Sequence, residues 1–75
     1  MSRYRVGFDG HWQENFETEE DAIEWAKGVG ETRRTVYVAR VRPIGRHTLV
    51  AVFPKSNSAE GRRRWRKHRG NYAPW

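Results

Sequence analysis

The residues best suited to chemistry form one basic run near the carboxyl end of the 75-residue chain, Arg62-Arg63-Arg64-Trp65-Arg66-Lys67-His68-Arg69. Arginine forms paired hydrogen bonds to phosphate, and its planar guanidinium also stacks on bases. A tryptophan among these cations could add base stacking or lie against a sugar. The run therefore predicts nucleic-acid contacts by Arg62, Arg63, Arg64, Trp65, Arg66, Lys67 and Arg69.

The charge of the whole chain is divided unevenly along its length. Residues 1–31 hold three basic and eight acidic side chains, a net charge of −5, and residues 32–75 hold twelve basic side chains against one acid, a net charge of +11. Such asymmetry favours a polyanion as partner of the second half. If the six fixed charges of the run all met phosphates of duplex DNA, log K would fall with log salt at a slope of about −5.

Enzymatic and metal-binding patterns are missing from the sequence. There is no cysteine, and His11, His47 and His68 stand far apart, in different predicted elements. Neither a phosphate-binding glycine loop nor a nucleophile motif occurs. We therefore expect no enzyme activity, no metal and no cofactor. No apolar run reaches the roughly 18 residues of a membrane span, and the N-terminus lacks a secretory apolar segment. These features predict a cytoplasmic protein, as a monomer or homodimer.

The first 16 residues predict a β-hairpin. Apolar and polar side chains alternate along residues 3–8, Asp9-Gly10 favours a tight turn, and residues 11–16 form the return strand. Two registers are open. A two-residue loop would create the pairs Arg5–Glu14 and Gly7–Trp12. A three-residue loop would create the pairs Phe8–Trp12 and Tyr4–Phe16.

A helix is expected to follow the hairpin. Thr18 and Asp21 have the spacing of a capping box, and four acids near this end suit the helix dipole. The periodic apolar positions that predict its buried face are Ala22, Ile23, Trp25, Ala26 and Val29. We expect the helix to run to about Lys27, with Gly28 or Gly30 as a left-handed stop.

Two further strands, residues 35–42 and 48–53, are apolar on nearly every position and are expected to be central in the sheet. Arg40 and Arg42 share a face with Val36 and Val38. If Tyr37, Ala39 and Val41 turn towards the helix, both arginines stand on the open face and extend the nucleic-acid footprint, with further candidates at Arg33, Arg34 and Arg46.

The predicted fold is an α+β domain with one helix packed on a three- or four-stranded antiparallel sheet. The element order is ββαββ, or βαββ if the first hairpin is distorted. This compact domain spans residues 1–54, and residues 55–75 form a flexible, disordered basic tail. Like-charge pairs four residues apart in the basic run disfavour a free helix there, so we expect the segment to become helical only on a polyanion.

Residues 16–26, Phe-Glu-Thr-Glu-Glu-Asp-Ala-Ile-Glu-Trp-Ala, resemble the strand-to-helix junction of the AP2-like, arm-type DNA-binding domains of phage tyrosine integrases. In that family a phenylalanine, a threonine cap, a helical alanine and a tryptophan recur at this spacing, and the sheet enters the major groove. The resemblance covers about residues 3–29 and implies DNA contacts by Arg3, Arg5 and Gln13. The junction with its two later strands is also similar to small uncharacterised bacterial and phage βαββ proteins, which imply no activity.

Two functional hypotheses follow from these patterns. The first is a non-enzymatic accessory protein that binds DNA or RNA through the basic tail. The alternative is a small phage or bacterial adaptor or regulator that docks on a larger complex. The alternative rests on apolar strand edges, on the acidic helix face and on three aromatic residues expected to be exposed, Trp12, Tyr72 and Trp75.

Overall fold

The computed structural model describes residues 3–9, 11–32, 35–43 and 47–67. Its elements are strands β1 (Tyr4–Phe8) and β2 (His11–Phe16), helix α1 (Glu19–Gly30), strands β3 (Val36–Val41) and β4 (His47–Phe53), a 3₁₀ turn (Lys55–Asn57) and helix α2 (Ser58–Lys67). The strands form one antiparallel sheet in the order β2-β1-β3-β4. The predicted α+β class and antiparallel sheet are confirmed, the sheet has four of the three or four strands expected, and the prediction of one helix is wrong because the described residues form two.

The first hairpin combines features of both predicted registers. Gly7 pairs with Trp12 near the turn, whereas Tyr4 pairs with Phe16 at the far end. The register shifts between Val6 and Gly7, so one residue of β2, Gln13, has no partner on β1. Such a bulge inserts one residue into one strand and lets both pairings coexist. The turn residue Asp9 has φ 55°, the left-handed region that a two-residue hairpin loop uses.

Helix α1 begins as the sequence predicts and ends later. The backbone N–H of Asp21 donates to Oγ1 of Thr18 at 3.2 Å, which confirms the cap. The expected left-handed stop is wrong, because the helix continues through Gly30 to Glu31, whose φ of −71° is right-handed. Gly30 instead allows a close approach, since a Cβ there would lie 2.9 Å from Cβ of Phe53.

The core lies between α1 and one face of the sheet. Its buried residues are Val6, Ala22, Ala26, Val36, Val38 and Phe53. Trp25 packs against this core as predicted, with its ring 6.4 Å from the Phe8 ring and 5.8 Å from the Phe16 ring. The small alanine side chains of α1 let the helix approach the sheet closely, so that a narrow apolar stripe still excludes water from the strands.

The predicted orientation of β3 is wrong. Val36 and Val38 contact the α1 core, so the alternation of the strand turns Tyr37, Ala39 and Val41 to the opposite face. That opposite face is covered by α2, whose Trp65 ring lies 6.0 Å from the Tyr37 ring. Because β3 is buried on both sides, its residues are apolar on both faces, and their alternation could not predict which face packs against α1. Strand β4, predicted to be central, lies at the edge of the sheet.

Residues 55–67 differ from the predicted flexible tail, because they form the 3₁₀ turn and α2. Ser58, Gly61 and Trp65 repeat at helical spacing and face the sheet, and Oγ of Ser58 donates to the Val52 carbonyl at 3.2 Å. The arginines of α2 are exposed, so water screens the repulsion that argued against a helix. The remainder of the predicted tail, residues 68–75, lies outside the described residues.

The contact between α2 and β4 is close enough to test by adding one methyl group. A Cβ at Gly61 would lie 2.5 Å from Cγ1 of Val52, and the side chain of Val52 is β-branched and cannot turn away easily. We expect Gly61→Ala to lower the free energy of unfolding by about 1–2 kcal/mol, since overpacking outweighs the gain in helix propensity. Urea denaturation followed by tryptophan fluorescence measures the change.

Gly28→Ala is the matched control for this substitution. Position 28 lies in α1, and an added Cβ there meets nothing within 4 Å beyond the adjacent residues and the backbone of the helix, so only helix propensity changes. We expect this variant to gain roughly 0.5–1 kcal/mol. A Gly61→Ala variant as stable as Gly28→Ala would contradict the close packing of α2 on β4.

Candidate nucleic-acid interface

Helix α2 separates its apolar and basic residues onto different sides. Gly61 is buried and Trp65 is half-buried against the sheet, whereas the four arginines of the helix are exposed. These four are Arg62, Arg63, Arg64 and Arg66. Lys67 is the last residue of the helix, and Arg69 lies outside the described residues. The structure thus brings together, on one helix, the four arginines that the sequence identified before residue 67.

An aromatic cluster, formed by Trp12, Tyr37, His47 and Trp65, lies under the basic helix. The Trp12 and His47 rings stack, with centroids 5.0 Å apart and planes inclined by 14°. The Trp65 ring meets the Trp12 ring edge-on at 6.3 Å and the Tyr37 ring at 6.0 Å. Each such pair adds roughly 0.5–1.5 kcal/mol beyond the area it buries. Trp65 therefore anchors α2 to two strands of the sheet, β2 and β3, a role that the sequence did not predict.

Three members of this cluster were absent from the predicted site. Trp12 was expected to be exposed, but it is half-buried beneath α2. Gly7 pairs with Trp12 on one side and Tyr37 on the other, and Val41 pairs with His47. Paired residues project to the same face, so these pairings place all three aromatic residues on the face that α2 covers. Only the strand pairing could have predicted this cluster, and the sequence left the pairing of β1 with β2 open because of the bulge at Gln13.

His47 is held as a neutral ring within the cluster. Nη1 of Arg5 lies 3.4 Å from Nε2 of His47, and a guanidinium can only donate such a bond. Burial lowers the pKa of His47 below its usual 6.5, and the charge of Arg5 lowers it further. A protonated His47 would face this cation with its Nδ1 buried and, within the described part of the chain, without a hydrogen-bond partner.

Tyr37 is likewise kept uncharged under α2. Burial raises the pKa of its phenol, the nearby positive charge of Arg64 opposes this rise, and Glu60 adds to it. The phenol is therefore uncharged at neutral pH. In the described residues no three His, Asp or Glu side chains cluster so as to hold a metal ion.

A groove of about 430 Å³ lies beside the cluster, between α2 and β4. The residues that line it are His47, Thr48, Leu49, Arg62, Trp65 and Arg66. Nη2 of Arg62 reaches the carbonyl of Val50 at 3.5 Å. Val50 is the bulged residue of β4, since Ala51 pairs with Val38 and Leu49 pairs with Ala39. The bulge leaves a backbone carbonyl without a ladder partner, and this weak contact helps to place the guanidinium at the groove.

One of the two sheet arginines of the predicted site, Arg40, lies apart from this surface. Arg40 is exposed and follows Val36 and Val38 on the α1 face of β3, opposite to α2. Arg42 is exposed and comes just after the strand. Arg33, Arg34 and Arg46 lie outside the described residues. The expectation that Arg40 stands on an open face together with the basic run is therefore wrong, because α1 and α2 cover opposite faces.

The hairpin residues implied by the integrase resemblance are divided in their exposure. Arg3 is exposed, and so is Gln13, whose Nε2 donates to the Phe8 carbonyl at 3.3 Å. Arg5 is half-buried beside His47 on the face that α2 covers.

No protein-family model, curated protein or solved structure matches this chain. The resemblance therefore stays a prediction.

The structure converts the charge asymmetry of the sequence into two opposed surfaces. Helix α1 contains four carboxylates and one lysine, a net charge of −3, and α2 contains five cations and one carboxylate, a net charge of +4. The two helices lie on opposite faces of the sheet, so acid and base do not neutralise each other. Neither helix in the described ranges is long and apolar enough to cross a membrane.

The lowered pKa of His47 predicts a pH-dependent stability. Well above pH 6.5 the ring is neutral in both states, but as the pH falls through 6.5 the unfolded chain binds a proton that the folded chain resists. The free energy of unfolding should therefore fall as the pH drops from 7.5 through about 6. Chemical denaturation at several pH values should show this slope in the wild type and a flatter curve in His47→Gln.

His11→Gln serves as the control, because His11 is exposed on β2. It should keep the slope of the wild type over the same interval. An equal slope in His47→Gln would show that the cluster does not resist protonation of His47.

Proposed function

We propose that this protein is a non-enzymatic accessory protein that binds nucleic acid, with α2 as its phosphate-binding surface. The observation that supports this most directly is the display of four exposed arginines on one docked helix. A guanidinium pairs with two phosphate oxygens at once and keeps its charge at any physiological pH. Lys67, Arg69 and Arg42 belong to the proposed contacts as additions to this helix.

The docking of α2 makes the phosphate contacts less costly than they would be for a flexible tail. Ordering a disordered segment on binding consumes part of the interaction energy. Here Gly61 and Trp65 already fix the helix against the sheet, so its guanidinium groups are held close together before a ligand arrives. A polyanion would also relieve the repulsion between neighbouring arginines, and this relief favours binding further.

The negative charge of α1 helps to orient the protein towards a polyanionic ligand. Carboxylates on the far face repel a polyanion, while the cations of α2 attract it, so the field of the protein turns the basic face towards the ligand. The same separation favours a defined contact over general adhesion of a uniformly basic molecule. Arg40, on the α1 side, would add little to this contact, and we assign it a secondary role.

The acidic surface of α1 supports the alternative of a protein-binding adaptor. Of the aromatic residues on which that hypothesis rested, Trp12 is occupied by the cluster, and Tyr72 and Trp75 lie outside the described residues. A pull-down from nuclease-treated lysate separates the two functions. Protein partners that persist after nuclease treatment would favour the adaptor.

Neutralising the four arginines of α2 tests the proposed function. The variant Arg62→Gln/Arg63→Gln/Arg64→Gln/Arg66→Gln keeps the length and polarity of the helix and removes four charges. For duplex DNA each lost phosphate contact should reduce the slope of log K against log salt by roughly 0.9, so by up to about 3.6. Fluorescence anisotropy with labelled duplex DNA, single-stranded DNA and RNA, at several salt concentrations, measures the slope.

Lys27→Gln is the control for charge alone, because Lys27 is the basic residue of α1 on the opposite face. We expect it to leave the salt slope unchanged. The proposal fails if the wild type binds none of the three nucleic acids, or if its binding does not respond to salt. Truncation before residue 60 would be a poorer test, since it would also uncover Tyr37, Trp12 and Val52.

A further inference from the structure

The groove between α2 and β4 is lined by both apolar and cationic residues, whereas binding of phosphates by the four arginines would need only cations. The apolar wall, as we call this part of its lining, consists of Leu49, His47 and Trp65, which are all half-buried, so each residue keeps some area open to solvent. The cations of the lining are Arg62 and Arg66, on the same helix as Trp65. Convergence of an apolar wall and a few charged groups is the usual character of a small-ligand site, and about 430 Å³ falls within the roughly 300–1,000 Å³ of such sites.

We propose that this groove receives one unpaired nucleotide of a single-stranded nucleic acid. Its base lies against Leu49 and the rings of His47 and Trp65, and its phosphate meets Arg62 and Arg66. The inference rests on the proposed function and narrows it, since it names the form of nucleic acid that is preferred and the subsite that distinguishes it.

The arrangement of charge on α2 identifies the groove as an anion site. Arg62 and Arg66 are four residues apart, which puts their Cβ atoms about 5–6 Å from each other on one side of the helix. The acid of the helix, Glu60, is three and four residues from Arg63 and Arg64, so it neighbours those two arginines. Arg62 contacts a neutral carbonyl, that of Val50, which cannot neutralise its charge.

The apolar wall identifies the rest of the ligand. A free phosphate would use the arginines and leave Leu49 and the two rings exposed, whereas a base would cover them. Every base has a flat aromatic face that stacks on such side chains without regard to sequence. The neutral state of His47 suits this contact, because an uncharged ring is less costly to cover.

A duplex cannot use this wall. Its bases are paired and stacked on each other, so their faces are closed and only their edges are open to a protein. A base must leave the stack to reach Leu49 and Trp65, which a single strand permits at little cost. The exposed Arg63 and Arg64 have no such requirement and can meet the phosphates of either form.

Two double variants with equal charge test the assignment. Arg62→Gln/Arg66→Gln removes the two groove cations, and Arg63→Gln/Arg64→Gln removes two cations from the same helix outside the groove. Fluorescence anisotropy compares single-stranded DNA, single-stranded RNA and duplex DNA of one length at one salt concentration. We expect the groove variant to lose at least tenfold more single-strand affinity than its control and to lose equal duplex affinity.

A second pair of variants tests the apolar wall at constant charge. Leu49→Ala removes apolar area from the groove, whereas the control Ile23→Ala removes it from a half-buried residue of α1 that packs against the core on the other face of the sheet. We expect Leu49→Ala to lower the single-strand affinity about 5- to 50-fold, because the base then covers less apolar surface, with duplex affinity unchanged. Ile23→Ala should leave the ratio of single-strand to duplex affinity as it is.

Backbone chemical shifts supply a measurement that needs no variant. Titration of the wild type with a short single-stranded oligonucleotide should move residues 47–49 and 62–66, and inorganic phosphate alone should move only the region of Arg62 and Arg66. The inference is overturned if both double variants lose equal single-strand affinity and Leu49→Ala leaves the affinity ratio unchanged. Salt-dependent binding that persists in that case would retain the proposed function, whereas absence of all binding would remove both.

Discussion

The structure depends on how closely α2 approaches the sheet. Gly61 lies so near Val52 that a methyl group would collide, and Trp65, one turn later, reaches the rings of Trp12 and Tyr37. A helix with a net charge of +4 and an i,i+4 pair of arginines has little stability of its own. Its order therefore comes from the sheet, and the positions of its guanidinium groups and of the groove follow from that one contact.

Covering the sheet on both faces also explains the composition of its strands. A small chain cannot build one thick core, since it buries a smaller fraction of its surface than a larger domain does. This chain instead builds two thin layers, a mixed layer of aliphatic and aromatic residues under α1 and the aromatic cluster under α2. β3 contributes to both, with Val36 and Val38 on one side and Tyr37 on the other. The same layering keeps the acidic and basic helices apart.

Local patterns were sufficient to predict the strands, the Thr18 cap and the order of the first five elements, because each depends on neighbouring residues. The orientation of β3 was not predictable in this way, since a strand buried on both faces reads the same in either direction. The hairpin could not be predicted with a single register, because the bulge at Gln13 changes the pairing part-way along the strands. Helix α2 was missed because its inward stripe contains Ser58 and Gly61, residues that read as a linker until a close partner is known.

The residues of the candidate site also fall into those that the sequence predicted and those that depend on strand pairing. Composition alone identified the arginines of residues 62–66, whereas Trp12 and His47 are drawn to Trp65 from β2 and β4 by pairings that the sequence left open. Trp65 joins the two parts, because it anchors the helix and also lines the groove. Loss of this ring would thus remove the groove together with the stacking contact, so the two roles cannot be separated at position 65.

A ligand in the groove contacts both α2 and β4 and binds only when they are packed together, so it should stabilise their contact by mass action. Folding and recognition in this chain are then linked through one interface.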